Sequence, residues 1–551
     1  MGKLRGFGAV SLLTLVSRIT GLGRDSLMAG LFGSGWVLDA FFVAFRIPNL
    51  FRRLFGDGAM TAAFLPEFVR TEQESGRAAS AALFRDVAGR LFRILLALTV
   101  VCELSVATLL IFTPLSERNQ LLCELTLIMT PYLLLICMTG LYGAALNGVR
   151  HFVVPAFAPV LLNVVWLAGG LAAVAVVSDD LVRVRLIALL VVVGGVAQLS
   201  VSAYSLRRFS ISLRGRDVVG VTQSGIQAAG ENPTVARDTT DRVFRRMVPV
   251  LFGLSVTQIT GLTDSVLAWV LVAPEFMQFE WLDRFRLQEG TAAALYLGQR
   301  LFQFPMGVFA VALGTVLFPR FAAHAQSGRR DELSRDVLHG LQLVLIVGIP
   351  ASVGLWFLAD PISRLLFEYG RFDSQSAALT GLMISGYGCG VWVFSGLLIV
   401  NRVFYAANDQ TTPMRQGIIC VGMNLILDIV LLPILGELAL PVATVISNGI
   451  QLALTLELAA TRFLTKSISA LIPVVWRTVI ASALMYSVGQ WTLSLLAAKA
   501  EDGFAARIPL VLVPIAVSVV AYSSCVTLTG LSLRRLMHEP LWINQSELPR
   551  N

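Results

Sequence analysis

The sequence predicts an all-α membrane protein that crosses the bilayer many times. Hydrophobic residues make up 56% of the 551 residues and charged residues only 14%, whereas soluble proteins carry about 25% charged residues. Apolar stretches of about 20 residues, the length that spans a bilayer as a helix, recur from one end of the chain to the other. The net charge of +8 is typical of arginine-rich cytoplasmic loops, so we expect no nucleic acid as a partner.

We expect about 14 transmembrane helices. Their approximate ranges are 4–32, 36–69, 82–113, 122–149, 153–177, 184–207, 243–273, 291–324, 333–359, 375–407, 413–434, 438–463, 468–495 and 506–530. The first stretch has no small-residue cleavage site, which indicates a retained helix rather than a removed signal peptide. An even number of spans puts both termini on one side, and most loop Lys and Arg fall on that side, so both termini are predicted to be cytoplasmic.

An internal repeat divides the chain into two six-helix lobes. The tetrapeptide Ile-Thr-Gly-Leu occurs at 19–22 and again at 259–262, and Asn163 matches Asn424 at the spacing that also relates Asn147 to Asn408. Because six spans preserve orientation, we expect a pseudo-two-fold axis along the membrane normal, with substrate between the lobes. The predicted parts are an N-terminal lobe over 1–208, a cytoplasmic linker over 209–241, a C-terminal lobe over 242–465, two extra transmembrane helices over 466–530 and a cytoplasmic tail over 531–551.

Charged side chains are threaded through the first predicted hairpin. They include Arg18, Arg24, Asp25, Asp39, Arg46, Arg52 and Arg53. An ionised side chain at the bilayer centre costs about 2.5–3.5 kcal/mol, so these arginines are expected to line a polar cavity rather than to face lipid. Because a guanidinium binds phosphate bidentately, such a cavity suits a phosphate-containing anion.

The predicted hairpin turn, near residue 34, fixes which of these residues lie at the same depth. Arg18 is expected close to Asn49 and Arg52, and these three residues form a candidate anion-binding site. Helical spacing from Asp39 instead favours Arg53 over Arg52, and both alternatives stay open.

A second group of charges lies nearer the outer end of the hairpin. Arg24 is within side-chain reach of Asp39 and next to Asp25. We expect the Arg24–Asp39 pair to form and separate as a gate during alternating access. The alternative is that these charges only neutralise one another.

The sequence contains no signature of an enzyme, a metal site or a bound cofactor. We find no Walker loop, no H-E-x-x-H and no G-x-S-x-G motif. The six cysteines lack metal-ligand spacing and are interpreted as packing residues. We therefore predict a protein without catalytic activity, cofactor or metal.

Three long stretches resemble the MurJ (MviN) family of lipid II flippases, which belongs to the multidrug/oligosaccharidyl-lipid/polysaccharide exporter superfamily. They are SRITGLGRDSLMAGLFGSGWVLDAFFVAFRIPNLFRRLFGDGAMTAAFLPEF, YGAALNGVRHFVVPAFAPVLLNVV and GQRLFQFPMGVFAVALGTVLFP. The resemblance covers essentially the whole chain. It implies a bacterial inner-membrane protein that moves the undecaprenyl-diphosphate-linked peptidoglycan precursor, lipid II, from the inner to the outer leaflet by alternating access.

The resemblance also implies which residues face the central cavity. They are Arg18, Arg24, Asp39, Arg52 and, from the second half, Arg300. Two positions depart from the family: Asp57 stands where many members have Glu, and Gln299 stands where an Asp is familiar. The second change leaves Arg300 freer to bind an anion.

Other functions remain as alternatives. They are a flippase for another polyprenyl-linked oligosaccharide, a drug/cation antiporter of the same superfamily, a polyprenyl-phosphate transferase and a scaffold. The basic hairpin argues against a cation carrier, and a transferase would need acidic metal ligands near the membrane surface. The expected partners are lipid II, membrane lipids and cell-wall synthesis enzymes. The two extra helices are expected to form a groove for the polyprenyl tail.

Overall fold

The predicted all-α fold is confirmed. The computed structural model describes residues 2–209, 233–272, 280–498 and 503–530, and within these ranges every regular element is a helix. Many large apolar side chains lie on the surface, among them Ile111, Val176 and Leu528. A soluble protein would bury such side chains, whereas a bilayer solvates them.

The chain divides into two compact units, Met1–Leu262 and Thr263–Asn551. The helices that begin in the first unit are α1 (Gly2–Phe32), α2 (Trp36–Phe51), α3 (Leu65–Phe112), α4 (Glu117–Met129), α5 (Pro131–Gly148), α6 (Val153–Val176), α7 (Asp180–Arg207) and α8 (Pro233–Val272). A π-helical segment, Arg52–Phe64, joins α2 to α3.

The second unit is also helical in its described part. Its helices are α9 (Thr291–Pro305), α10 (Val311–Gln326), α11 (Arg330–Phe357), α12 (Ala359–Phe367), α13 (Ser374–Gly388), α14 (Val391–Ala406), α15 (Thr411–Leu435), α16 (Ala439–Phe463), α17 (Ile472–Ala497) and α18 (Phe504–Leu528). A π-helical segment, Met306–Ala310, joins α9 to α10, and three short 3₁₀ helices lie at Glu280–Phe285, Gly436–Leu438 and Ile468–Leu471.

The described residues contain helices at all the predicted transmembrane positions. By length and composition, nine continuous helical stretches in this part of the chain can cross a bilayer, some of which combine two of the helices named above. The number is ten if the pair α13–α14, bent by 42°, counts as one span. The chain is therefore a multi-pass membrane protein. The number of 14 crossings, the pseudo-two-fold axis and the predicted domain limits stay predictions.

The linker predicted over 209–241 lies partly outside the described residues, as does the predicted tail over 531–551. The end of this linker, from Pro233, forms the first turns of α8. There Asp241 pairs with Arg90 of α3, and the Arg90 guanidinium lies 4.7 Å from the centre of the Phe244 ring. Because these contacts hold α8 against α3, the segment before residue 262 belongs to the first compact unit.

The two extra helices pack on α11 and α12. Tyr522 of α18 donates a hydrogen bond of 2.5 Å to the Ile346 carbonyl, in the middle of α11. Toward the other end of α18, Arg507 forms an ion pair of 2.9 Å with Glu368, just after α12. Polar contacts therefore attach α18 to its neighbours near both of its ends.

Candidate functional site

The first hairpin turns where the sequence predicts. Helix α1 ends at Phe32 and α2 begins at Trp36. Gly33 has φ +66°, in the left-handed region, and its amide donates to the Ala29 carbonyl. A glycine ends a helix in this way at little steric cost. Arg24 and Asp25 lie near the end of α1, a short distance along the chain from the start of α2.

Arg24 is enclosed by protein, with only 2% of its surface exposed. Its Nε and Nη2 atoms donate to Asp25 Oδ1 at 2.9 and 2.5 Å, and its Nη1 atom donates to Asn163 Oδ1 of α6 at 3.2 Å. The Asn163 amide in turn donates to the Ser17 carbonyl at 2.9 Å. One cationic side chain and one amide therefore connect α1 to α6.

Aromatic rings complete the enclosure of Arg24. Its guanidinium carbon lies 4.1 Å from the centre of the Trp166 ring and 5.6 Å from that of Phe45. Because a ring face attracts a cation, these contacts join α6 and α2 around the same charge. Asp39 of α2 is fully buried. The Arg24–Asp39 gate stays a prediction, whereas the carboxylate of Asp25 forms an ion pair with Arg24.

The arginines at the other end of α2 are more accessible. Arg52 is half-buried, and its Nε atom donates to Asn49 Oδ1 at 3.0 Å. Arg53 is also half-buried and donates to Gln258 Oε1 of α8 at 3.1 Å. These bonds bring together Asn49 and Arg52, two residues of the predicted anion site, and hold both guanidinium groups in defined positions.

Spacing along α2 decides which arginines face α8. Arg46 and Arg53 are seven residues apart, and both donate to α8, Arg46 to the Gly261 carbonyl and Arg53 to Gln258. Arg52, the first residue of the π-helical segment, donates to Asn49 of α2. Arg18 is half-buried on α1. Its contribution to an anion site stays a prediction.

The helix after Pro48 is wider than an α-helix. Proline removes one backbone donor, and the segment Arg52–Phe64 that follows is π-helical. Pro305 likewise precedes the π-helical segment Met306–Ala310 in the second unit. Such segments are rare and often lie at functional sites. Neither π-helical segment is among the elements predicted from the sequence, and Pro48 and Pro305 were the available signal for them.

Arg300 lies on α9, five residues before Pro305. It is half-buried, its Nη2 atom donates to the Tyr296 hydroxyl at 3.2 Å, and its guanidinium lies 5.5 Å from the Tyr296 ring centre. Tyr296 therefore sets the direction of this side chain. The role of Arg300 in binding an anion stays a prediction. The side chain of Asp57 lies outside the described residues.

A buried polar cluster in the second unit escapes the sequence analysis. Thr444 of α16 donates to Asp264 Oδ2 at 3.0 Å, and Asn424 of α15 donates to Thr444 at 3.4 Å. Asp428, one turn after Asn424, is fully buried, interacts electrostatically with Asp264, and has two carboxylate oxygens that accept no hydrogen bond within the described chain. Asn424 and Asp428 are four residues apart and so lie on one face of α15. This spacing was the available sequence signal for the cluster.

This cluster and the Arg24 cluster fall at matching positions of the predicted repeat, since Asp25 and Asp264 each follow one copy of the Ile-Thr-Gly-Leu tetrapeptide. Asn163 matches Asn424, and Asp25 matches Asp264, yet Asp25 pairs with an arginine whereas Asp264 faces a second carboxylate. Carboxylate, amide and hydroxyl oxygens are ligands that hard cations take. Among the described residues no three His, Cys, Asp or Glu side chains are grouped to hold a metal ion.

Comparisons with known proteins agree on one family. A family model described as lipid II flippase MurJ matches residues 28–509. A probable lipid II flippase MurJ of Rhizobium tropici is 32% identical over 465 residues, which cover 83% of this chain and 81% of that protein. A lipid II flippase MurJ of Burkholderia cenocepacia is 32% identical over 446 residues, with 80% of each chain covered.

Solved structures of similar fold include a lipid II flippase MurJ in an inward closed conformation. That structure has a TM-score of 0.69 and 22% identity, with 94% of this chain and 98% of that chain covered. An inward-facing multidrug resistance transporter of the MATE family has a TM-score of 0.64 and 12% identity, over 81% of this chain and 94% of that one. At these identities the structural likeness bears on the fold alone.

Proposed function

Because this chain belongs to the lipid II flippase MurJ family, we propose that it moves lipid II across the membrane. It is a transporter and not an enzyme. The transported precursor carries a diphosphate between its polyprenyl tail and its sugar-peptide head group, and it passes from the cytoplasmic to the periplasmic leaflet by alternating access. Lipid II is the substrate of the family, and peptidoglycan synthesis is the process that it serves.

The observation that best supports this proposal is the position of Arg52. Arg52 is half-buried at the end of a membrane hairpin, and its Nε atom donates a hydrogen bond to Asn49. This bond fixes the orientation of the guanidinium group. A preorganised guanidinium binds a phosphate bidentately at a small entropic cost. Arg18 and Arg53 are proposed as further contacts to the diphosphate.

We propose that the chain lies in the bacterial inner membrane with both termini in the cytoplasm. The arginines of the loops predicted on that side support this orientation. The surrounding lipids are its second class of partner. Cell-wall synthesis enzymes are a third class, proposed because the flipped precursor is their substrate.

We also propose that α17 and α18 help to hold the polyprenyl tail. Both helices are apolar and carry many outward-facing large side chains, such as Leu484, Trp491 and Val520. The polar contacts of Tyr522 and Arg507 attach the pair to α11 and α12. An apolar surface fixed beside the transporter suits a long hydrocarbon chain.

Complementation tests the proposed function. The wild-type chain is expected to restore growth and lipid II export in a strain depleted of its own flippase. Arg52→Ala and Arg18→Ala should insert normally yet fail to restore export, and Arg52→Lys should restore it poorly because an ammonium group cannot bind two phosphate oxygens in a fixed plane. Arg93→Ala, a change to an exposed arginine of α3, is the control and should export normally.

Two results would contradict the proposal. One is failure of the wild-type chain to restore export although it reaches the membrane. The other is full export by Arg52→Ala and Arg18→Ala at normal expression, which would remove the arginines from the substrate site.

A further inference from the structure

Helix α11 carries a proline inside a membrane-spanning segment. Pro350 lies in the interior of the helix and is buried. Because proline has no backbone N–H, it leaves the carbonyl four residues earlier, that of Ile346, without its helical donor. Ile346 is also buried, and an unsatisfied backbone group within a membrane is costly. Helices bend at such positions, so the group that binds this carbonyl influences the direction of α11.

A side chain of α18 replaces the missing donor. The Tyr522 hydroxyl donates to the Ile346 carbonyl at 2.5 Å, and the Tyr522 side chain is itself buried. The bond therefore does more than attach α18 to α11, because it satisfies a backbone acceptor that Pro350 leaves free. Loss of the hydroxyl would release this carbonyl, and the part of α11 that follows would change its direction.

The part of α11 over 348–357 supports the start of α14. The helices α13 and α14 are bent by 42° at the break between them. A Cβ atom on Gly348 would lie 2.9 Å from the Trp392 Cα atom, so α11 and α14 pack with their backbones in close approach. The Trp392 amide, in the first turn of α14, donates to Ser352 Oγ at 3.3 Å. This bond satisfies one of the amides that a helix leaves free at its beginning.

The same part of α11 also contacts α13 and α17. A Cβ atom on Gly388, the last residue of α13, would lie 2.9 Å from Leu355 Cβ. On the side of α17, the Trp356 ring stacks on the Tyr486 ring with their centres 5.4 Å apart. Both sides of the bend between α13 and α14 thus rest on a segment that the α17–α18 pair also contacts.

We propose that the Tyr522 hydroxyl sets the angle between α13 and α14, acting through residues 348–357 of α11. Tyr522 is a positioning residue in this arrangement, and Pro350 is the hinge on which it acts. Displacement of α18 releases the Ile346 carbonyl, α11 turns at Pro350, and the first turn of α14 moves with it. The inference rests on contacts within the second unit and is independent of which lipid the protein transports.

Pro350 separates this role from simple attachment of α18. In Pro350→Ala the new backbone N–H can bind the Ile346 carbonyl, so the hydroxyl of Tyr522 is no longer needed to satisfy it. If Tyr522 acts through the hinge, its effect on the bend disappears in Pro350→Ala. If Tyr522 only attaches α18, its effect is the same in both backgrounds.

Distances between two spin labels test the proposal in the full-length chain in lipid nanodiscs. The labels are attached at Gln375→Cys and Tyr405→Cys, two exposed positions near the far ends of α13 and α14, after the six native cysteines are replaced by alanine. Each label lies about 20 Å from the bend. A change of about 20°, the size of a sharp helix kink, therefore alters the distance between the labels by about 2–3 Å.

Tyr522→Phe keeps the ring, removes only the hydroxyl and should shift the mean distance by about 2–3 Å. The same substitution made in Pro350→Ala should leave the distance of that variant unchanged. Tyr486→Phe, which removes a hydroxyl from α17 and keeps the ring on Trp356, is the matched control and should not shift the distance. An unchanged distance in Tyr522→Phe would overturn the proposal. An equal shift with and without Pro350 would overturn it too, and so would a shift of the same size in the control.

Discussion

Arg24 donates two hydrogen bonds to Asp25, the next residue in the chain, from a position that is almost completely buried. The pair cancels its own charge, and Asn163 and Trp166 then surround it from α6. Arg24 in this conformation is a positioning residue that holds α1 against α6. Direct contact of Arg24 with substrate is a prediction for another state of the transport cycle.

Removing Arg24 should therefore destabilise the protein as well as stop transport. In Arg24→Leu the carboxylate of Asp25 stays buried without its cation, which costs about 3–5 kcal/mol when a buried pair is broken. The double variant Arg24→Leu/Asp25→Leu should lose less than the sum of the two single changes, because it leaves no unpaired charge. Thermal unfolding in detergent measures both. Additive losses would show that the two side chains are not coupled.

The outer gate predicts a conformation-dependent crosslink. With cysteines at positions 24 and 39, the trap should form in the inward-open state and fail in the outward-open state. Arginines of the empty site are drawn toward the cytoplasm by about 2.3 kcal/mol per charge for each 100 mV of inside-negative potential, whereas a bound diphosphate neutralises them. An uncoupler should therefore change the yield of crosslink. An equal yield of crosslink with and without the uncoupler would contradict coupling of the gate to the membrane potential. The absence of a crosslink in every state would contradict the gate itself.

Much of the fold could be predicted because membrane helices are encoded locally, in the length and polarity of each apolar stretch. The turn at Gly33 and the common face of Arg46 and Arg53 follow from the same local rules. The enclosure of Arg24 could not be predicted in this way, because Asn163 and Trp166 reach it from a distant part of the chain. The carboxylate beside Asp264 was missed for the same reason, since only tertiary packing brings Asp428 to it.

Asp428 should make the second unit sensitive to cations. Two buried carboxylates repel each other when both are ionised, so at alkaline pH a cation that binds between them stabilises the folded protein. In sodium-free buffer at alkaline pH, Asp428→Asn should unfold at a higher temperature than the wild type, by the equivalent of about 1–3 kcal/mol. The variant should also lose any stabilisation by sodium chloride beyond that by choline chloride. Asp86→Asn, a change to an exposed carboxylate of α3, is the control. A variant less stable than the wild type in both salts would contradict the prediction.

Asp409 should contribute stability that depends on pH. Burial opposes its ionisation, but hydrogen bonds from Thr412 and Thr411 and the nearby charge of Arg462 outweigh burial, so its pKa lies below the ordinary value. A lowered pKa means that this stabilisation is present above about pH 4, the pKa of an unfolded aspartate, and is lost as the pH falls through the folded pKa. Asp409→Asn should therefore lower the free energy of unfolding at pH 7 by about 1 kcal/mol, the cost of losing a helix cap. It should have little effect at pH 3. An equal loss at both pH values would contradict this account.

The attachment of α18 predicts how the two extra helices contribute to transport. Arg507→Ala removes the ion pair with Glu368 and leaves that carboxylate partly buried, and Tyr522→Phe removes the bond to the Ile346 carbonyl. Each change should lower the free energy of unfolding by about 1 kcal/mol. Together they should slow lipid II export if α17 and α18 must stay fixed beside α11 to hold the polyprenyl tail.

A chain that ends after Thr465 should insert but fail to export. Tyr486→Phe, which keeps the ring stacked on Trp356 with centres 5.4 Å apart, should behave like the wild type. Normal export by the shortened chain would exclude a role for these helices in binding the tail.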